Sequence, residues 1–188
     1  MSRVILGVDP GLTRCGVAVI RSLPSRKVEL IHVDTLKTPA SEELSSRLKE
    51  IGDGIESLIS VHKPAAIALE RVFAQANLRS VMGVAQISGV VLFLAAKHGI
   101  PMEMHTPSEV KAAVTGSGRA AKPQIGLAVS KILGLTETPK PADSADALAI
   151  AICNAWKSVG PVSVSSKQTK AQSQWLSAQA ASKRKGKA

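Results

Sequence analysis

The stretch Val4-Ile5-Leu6-Gly7-Val8-Asp9-Pro10-Gly11, followed by Gly16-Val17-Ala18-Val19-Ile20, decides how the rest of the chain is read. Val4 to Val8 is short, apolar and partly β-branched, and it stops at Asp-Pro-Gly, a turn signal. Gly16 to Ile20 is a second apolar run, and Val28 to Val33 a third, divided by Leu23-Pro24-Ser25. Three strands joined by short turns predict an antiparallel meander. Ser41-Glu42-Glu43 then opens a helix in which Leu44, Leu48, Ile51, Ile55, Leu58 and Ile59 recur at helical spacing until Pro64 stops it. Ala65 to Leu69 is a fourth strand, apolar throughout and so central in its sheet, and it runs directly into Glu70.

Asn77 to His98 predicts a long apolar helix closed by Gly99, and Pro101 to His105 a short fifth strand. Pro107 to Val114 is a short helix, and residues 115–122 form a glycine-containing basic loop. Pro123 to Leu133 is a helix with proline at its first position, and Asp143 to Trp156 is the last helix. A meander followed by strands alternating with helices implies an α/β fold: a mixed five-stranded sheet with helices on both faces. Residues 1–158 read as one domain. Residues 159–188, rich in Ser, Gln, Ala and Lys, read as a basic, disordered tail.

The net charge is +10, and six of those charges come from Lys167, Lys170, Lys183, Arg184, Lys185 and Lys187 in a tail without acids. Such a balance suits a polyanionic partner, although a soluble basic protein shows it too. Aromatic residues make up only 2% of the chain, so the core must be built from Ala, Val, Ile and Leu. Cys15 and Cys153 form no C-x-x-C pair and sit in apolar contexts, which points to buried thiols. No run reaches roughly 18 consecutive apolar residues, and no leader pattern opens the chain. A cytoplasmic location without membrane contact is the expectation.

Four carboxylates carry the chemistry. Asp9 and Glu70 each follow an apolar strand directly, and a carboxylate so placed is costly to desolvate unless paired or metal-bound. Asp143 and Asp146, three residues apart, share one face of the last helix near its N-terminus. Converging carboxylates repel, and hard oxygen donors without His or Cys favour Mg²⁺ or Mn²⁺. A pair of ions about 3.5–4 Å apart serves in-line phosphoryl transfer. Taken singly, Asp9 reads equally as a turn former, and Asp143 or Asp146 as a helix-terminal acid, whereas Glu70 is hardest to explain away, since Arg71 could pair with it but a buried strand end needs no acid.

Ile5-Leu6-Gly7-Val8-Asp9-Pro10-Gly11 with Gly16-Val17-Ala18, Leu69-Glu70-Arg71-Val72-Phe73, Pro107-Ser108-Glu109-Val110-Lys111, Gly116 to Lys122, and Asp143-Ser144-Ala145-Asp146-Ala147-Leu148-Ala149-Ile150-Ala151 stand in one order. As a set they resemble RuvC-type Holliday junction resolvases, from about residue 3 to 157. The resemblance implies an RNase H-like fold, a homodimer, two Mg²⁺ ions per site and symmetric nicking of four-way DNA junctions in recombination and repair. It implies RuvA and RuvB as branch-migration partners. It assigns metal binding to Asp9, Glu70, Asp143 and Asp146, a phosphate role to Lys111 and Lys122, and base stacking to Phe73. Arg79 and Arg119 are further candidates for DNA contact. His105 stands where the family commonly has an aromatic, and Pro123 where a polar or acidic residue is common.

Three other readings compete. A compact nuclease of the YqgF type would act on other nucleic acids. An actin-like ATPase also opens with a strand, an acid and a glycine, but the P-loop pattern is absent and two such domains exceed the length. A junction-binding scaffold without catalysis would carry four acids that oppose DNA affinity.

Overall fold

Strand β1 (Arg3–Asp9) lies at the centre of a five-stranded sheet of order β3-β2-β1-β4-β5 in the computed structural model, which describes residues 2–71 and 78–157. Strands β2 (Arg14–Ser22) and β3 (Val28–Lys37) complete the antiparallel meander on one side of it. Strands β4 (Ala66–Glu70) and β5 (Met102–His105) extend the sheet in parallel on the other. The mixed sheet and its helices agree with the α/β expectation.

Helices α1 (Leu44–His62) and α2 (Leu78–Lys97) cover one face, where Ile51, Ile55, Ile87 and Val91 pack with Leu6, Val8, Val17, Val19, Ile67 and Leu69. Helices α3 (Pro107–Thr115), α4 (Lys122–Leu133) and α5 (Ala142–Trp156) cover the other, over Ile5, Ala18, Ile20 and Ala68. Both faces of β1 and β4 are thus buried, which is why these strands read as unbroken apolar runs. The compact unit spans Met1–Lys157, and residues 158–188 lie outside the described residues. Among the described residues no helix is long and apolar enough to cross a membrane.

Some boundaries differ from the sequence expectation. Helix α1 starts at Leu44 rather than Ser41, because Glu43 takes an extended ψ of 140° as its N-cap. Helix α4 starts one residue early, at Lys122, leaving Pro123 as the second helical residue, where a missing N–H still costs nothing.

Two glycines set how closely α5 can lie on the sheet. A Cβ at Gly7 would meet the backbone oxygen of Ala147 and come within 2.8 Å of the Ala151 methyl. A Cβ at Gly16 would run into the carbonyl of Asp143. Gly16 is paired with Asp9 across the β1–β2 ladder, so the first turn of α5 comes to rest beside the end of β1. A buried hydroxyl contact of 3.0 Å between Thr35 and Ser144 pins that turn to β3. Gly16→Ala is therefore expected to lower stability by about 1–3 kcal/mol, as overpacking of a tight contact does. Urea unfolding measures it, and a midpoint equal to wild type would show that α5 can lift without cost.

Candidate metal and nucleic-acid site

Alternation along a strand decides which side chains share a face. Ile5, Gly7 and Asp9 point toward α5, as do Ala66, Ala68 and Glu70 of the parallel neighbour, where Val8 is paired with Leu69. Both acids therefore leave the sheet on the same face, at the carboxyl ends of adjacent parallel strands, where open α/β sheets form their crevices. Asp9, Glu70 and Asp146 line one cavity of about 250 Å³ together with Lys111, Lys122 and Ile150. Lys111 reaches it from α3, Lys122 from the start of α4 and Asp146 from α5.

The charges are uneasy neighbours. Burial, then the charges of Glu70, Asp146 and Asp143, pushes the Asp9 carboxyl up to about 7, with Lys122 opposing. Burial and the Asp146 charge also raise Glu70, against Lys122 and Lys111. Among the described residues Arg71 makes no ion pair with Glu70, so the simplest structural account of that acid is not realised. Two cations quiet the other acids. Lys122 Nζ stands 3.3 Å from Asp146, whose charge holds that ammonium above its ordinary pKa. Arg14 Nε donates to Asp143 at 2.6 Å.

Asp143 contributes its charge but does not line the cavity, since Arg14 draws its side chain aside. Among the described residues no three acids are already closed around a point that could hold an ion. The donor set nonetheless fits a hard divalent cation: carboxylate oxygens alone, no His or Cys at the cavity, and one acid whose burial and acidic neighbours lift its pKa to about 7.

The other residues singled out in the sequence lie elsewhere. Arg119 is exposed and lines a separate groove with Gln124, Leu127 and Lys131. Phe73 lies outside the described residues. Arg79 is in the first turn of α2, with its side chain outside the described set. His105 is fully buried at the end of β5, opposite Glu70 in the ladder. Both cysteines are buried, as expected, and burial pushes the Cys15 thiol up to about 12. Arg14 is the contributor that sequence reading missed. Its one signal is its place in the turn that follows Asp9, a signal shared by many solvated arginines.

The family model described as "Crossover junction endodeoxyribonuclease RuvC" matches residues 5–154. The chain belongs to the RuvC family. The RuvC of Leifsonia xyli subsp. xyli is 58% identical over 153 residues, covering 81% of this chain and 74% of that one. The RuvC of Saccharopolyspora erythraea is 53% identical, covering 81% and 77%. The structure of T. thermophilus RuvC in complex with Holliday junction substrate is similar with a TM-score of 0.78 at 35% identity, covering 81% and 93%. A yeast mitochondrial Holliday junction resolvase, at 15% identity with a TM-score of 0.57 and coverage of 80% and 78%, shares the fold. The RNase H-like architecture is thus the RuvC architecture, and RuvC nucleases depend on metal.

The raised Asp9 pKa makes a signed prediction. An ordinary Asp ionises near 3.8 and Asp9 near 7, so the fold binds that proton more tightly than the unfolded chain does. The resulting stability is complete below pH 4 and lost as pH rises through 7. In chelator at pH 8, Asp9→Asn should exceed wild type by a few kcal/mol, at about 1.4 kcal/mol per unit of pKa difference. The gap should close by pH 4 in thermal unfolding. Equal stability at pH 8 would mean that neither burial nor the neighbouring acids disfavour the Asp9 carboxylate.

Proposed function

We propose that the chain is a metal-dependent, structure-specific endodeoxyribonuclease that cuts four-way (Holliday) junctions by paired symmetric nicks in recombination and repair. The observation that carries the reading is the convergence of Asp9, Glu70 and Asp146 with Lys111 and Lys122 at one cavity of a RuvC-family fold. Asp9, Glu70, Asp146 and, once Arg14 lets go, Asp143 would hold two Mg²⁺ ions, with Mn²⁺ able to substitute. Ions held there supply Lewis acidity for attack of water on phosphorus and departure of the 3′-oxygen.

The protein's own groups do the rest. Asp9, at the end of β1, has Glu70, Asp143 and Asp146 as charged neighbours and would be among the residues that hold the ions. Lys122, released from Asp146, and Lys111 present ammonium groups to the scissile phosphate, where negative charge grows during in-line displacement. The low dielectric that raises Asp9 also strengthens those contacts. Phe73, three residues past Glu70, is suited to stack on an unpaired base, a contact worth about 1–3 kcal/mol per base. Arg79 and Arg119 contribute backbone affinity that falls with salt.

A homodimer suits a substrate of near two-fold symmetry. Helix α2 supports one: Met82, Ala85, Gly89, Leu92, Phe93 and Ala96 form an exposed apolar stripe, and Phe93 is 64% exposed. The same reading brings RuvA and RuvB as branch-migration partners and a cytoplasmic location. Phe93→Glu should convert the dimer to a folded monomer in sedimentation, and an unchanged dimer would move the interface off α2.

The decisive assay compares a synthetic four-way junction, linear duplex and an RNA–DNA hybrid, each with Mg²⁺ and with chelator. Paired nicks in the junction alone, and only with metal, are expected. Preferred cutting of the hybrid would favour a YqgF-type nuclease, and binding without cutting a scaffold. Asp9→Asn should retain junction binding and lose cleavage; cleavage by the pure variant in Mg²⁺ would remove Asp9 from the centre.

A further inference from the structure

A second cavity, of about 430 Å³, opens at the β1–β2 turn and is lined by Leu12, Arg14, Arg47, Gly83 and Val84 among others. Arg47 is its unusual member. It sits in the first turn of α1, only 8% exposed, as a charged side chain without an acid beside it. All 14 Asp and Glu residues of the chain fall within the described residues, and none is within ion-pair distance of Arg47. Its Nε donates to Thr38 Oγ1 at 3.0 Å and its Nη2 to Thr13 Oγ1 at 2.8 Å.

Those hydroxyls satisfy two of the five guanidinium N–H groups but cancel none of the charge. Nη1 has no partner among the described residues, and the side chain borders the cavity. An isolated buried cation is costly unless an anion is there to meet it. Arg14 borders the same cavity while its Nε reaches Asp143, so the cavity lies beside that acid and holds two guanidinium groups and no carboxylate. Helix α2 forms the far wall through Gly83, where a Cβ would press on Leu12 at 3.2 Å.

We propose that this cavity is a second phosphate subsite, in which Arg47 and Arg14 grip a DNA backbone phosphate neighbouring the one that is cut. The inference rests on the nuclease reading of the acid cavity and adds to it how the strand is registered there. Planar guanidinium forks suit phosphate oxygens, and phosphate contacts set register on a nucleic acid. Arg47 also ties Thr13 to Thr38, and Thr38 in turn donates to the Leu12 carbonyl, so a phosphate bound there braces the turn leaving Asp9. Arg14 links this cavity to Asp143.

The test is the salt dependence of binding to a synthetic four-way junction in chelator, from about 50 to 200 mM KCl, where each phosphate contact adds about 0.9 to the slope of log affinity against log salt. Arg47→Gln should lower the slope by about 0.9 per engaged subunit, so that its affinity falls about three- to fourfold less than wild type across that range. Arg47→Lys should keep the slope. Because Arg47→Gln also loosens the turn and can fail to fold, Val84→Glu gives an independent reading. It places a carboxylate at the cavity wall to occupy Arg47, and should lower the slope by the same amount while leaving the melting temperature at or above wild type. A wild-type slope in folded Arg47→Gln or in Val84→Glu overturns the subsite and leaves the nuclease reading standing. Wild-type protein that does not bind the junction overturns both.

Discussion

Everything at the centre of this molecule depends on how near α5 comes to the sheet. A helix normally stands off a sheet by the length of the side chains between them. At Gly7 and Gly16 there are none, and the helix backbone takes the space their Cβ atoms would fill. That contact carries the first turn of α5 to the end of β1, where Asp146 shares a cavity with Asp9 and Glu70. The acids come from three segments of chain, and only this docking makes them neighbours.

Gathering like charges opposes folding, and the molecule answers in two ways. It lifts the Asp9 pKa to about 7, and it lends cations to two other acids, Arg14 to Asp143 and Lys122 to Asp146. The second device is reversible, since both pairs keep one partner well exposed to water and are weak in consequence. Weak pairs of this kind yield to any partner that offers stronger charge compensation than a lysine or an arginine can.

The basic side of the protein is graded rather than uniform. Lys111 and Lys122 border the acid cavity, Arg14 lines the second cavity and pairs with Asp143, and Arg47 is buried behind the turn. Arg119 stands exposed on another groove. Net charge reports the sum of these groups and their attraction for a polyanion. It says nothing of which few are desolvated enough to act at one point.

The local grammar of the chain was sufficient for the sheet, the order of its elements and the two strand-end acids, because alternation, turn residues and apolar runs are short-range properties. Asp9 and Glu70 were legible for the same reason: a carboxylate ending a buried strand is conspicuous in one dimension. The start of α1 was misplaced because Ser41 to Glu43 have the composition of a helix start, while the backbone at Glu43 remains extended. Arg14 and Arg47 were invisible, since their meaning lies in what is near them across 129 residues of chain in one case and in the absence of any acid in the other. Ion pairing, burial and cavity shape are properties of distance in space, and the sequence determines them only through the packing of α5, α1 and the β1–β2 turn.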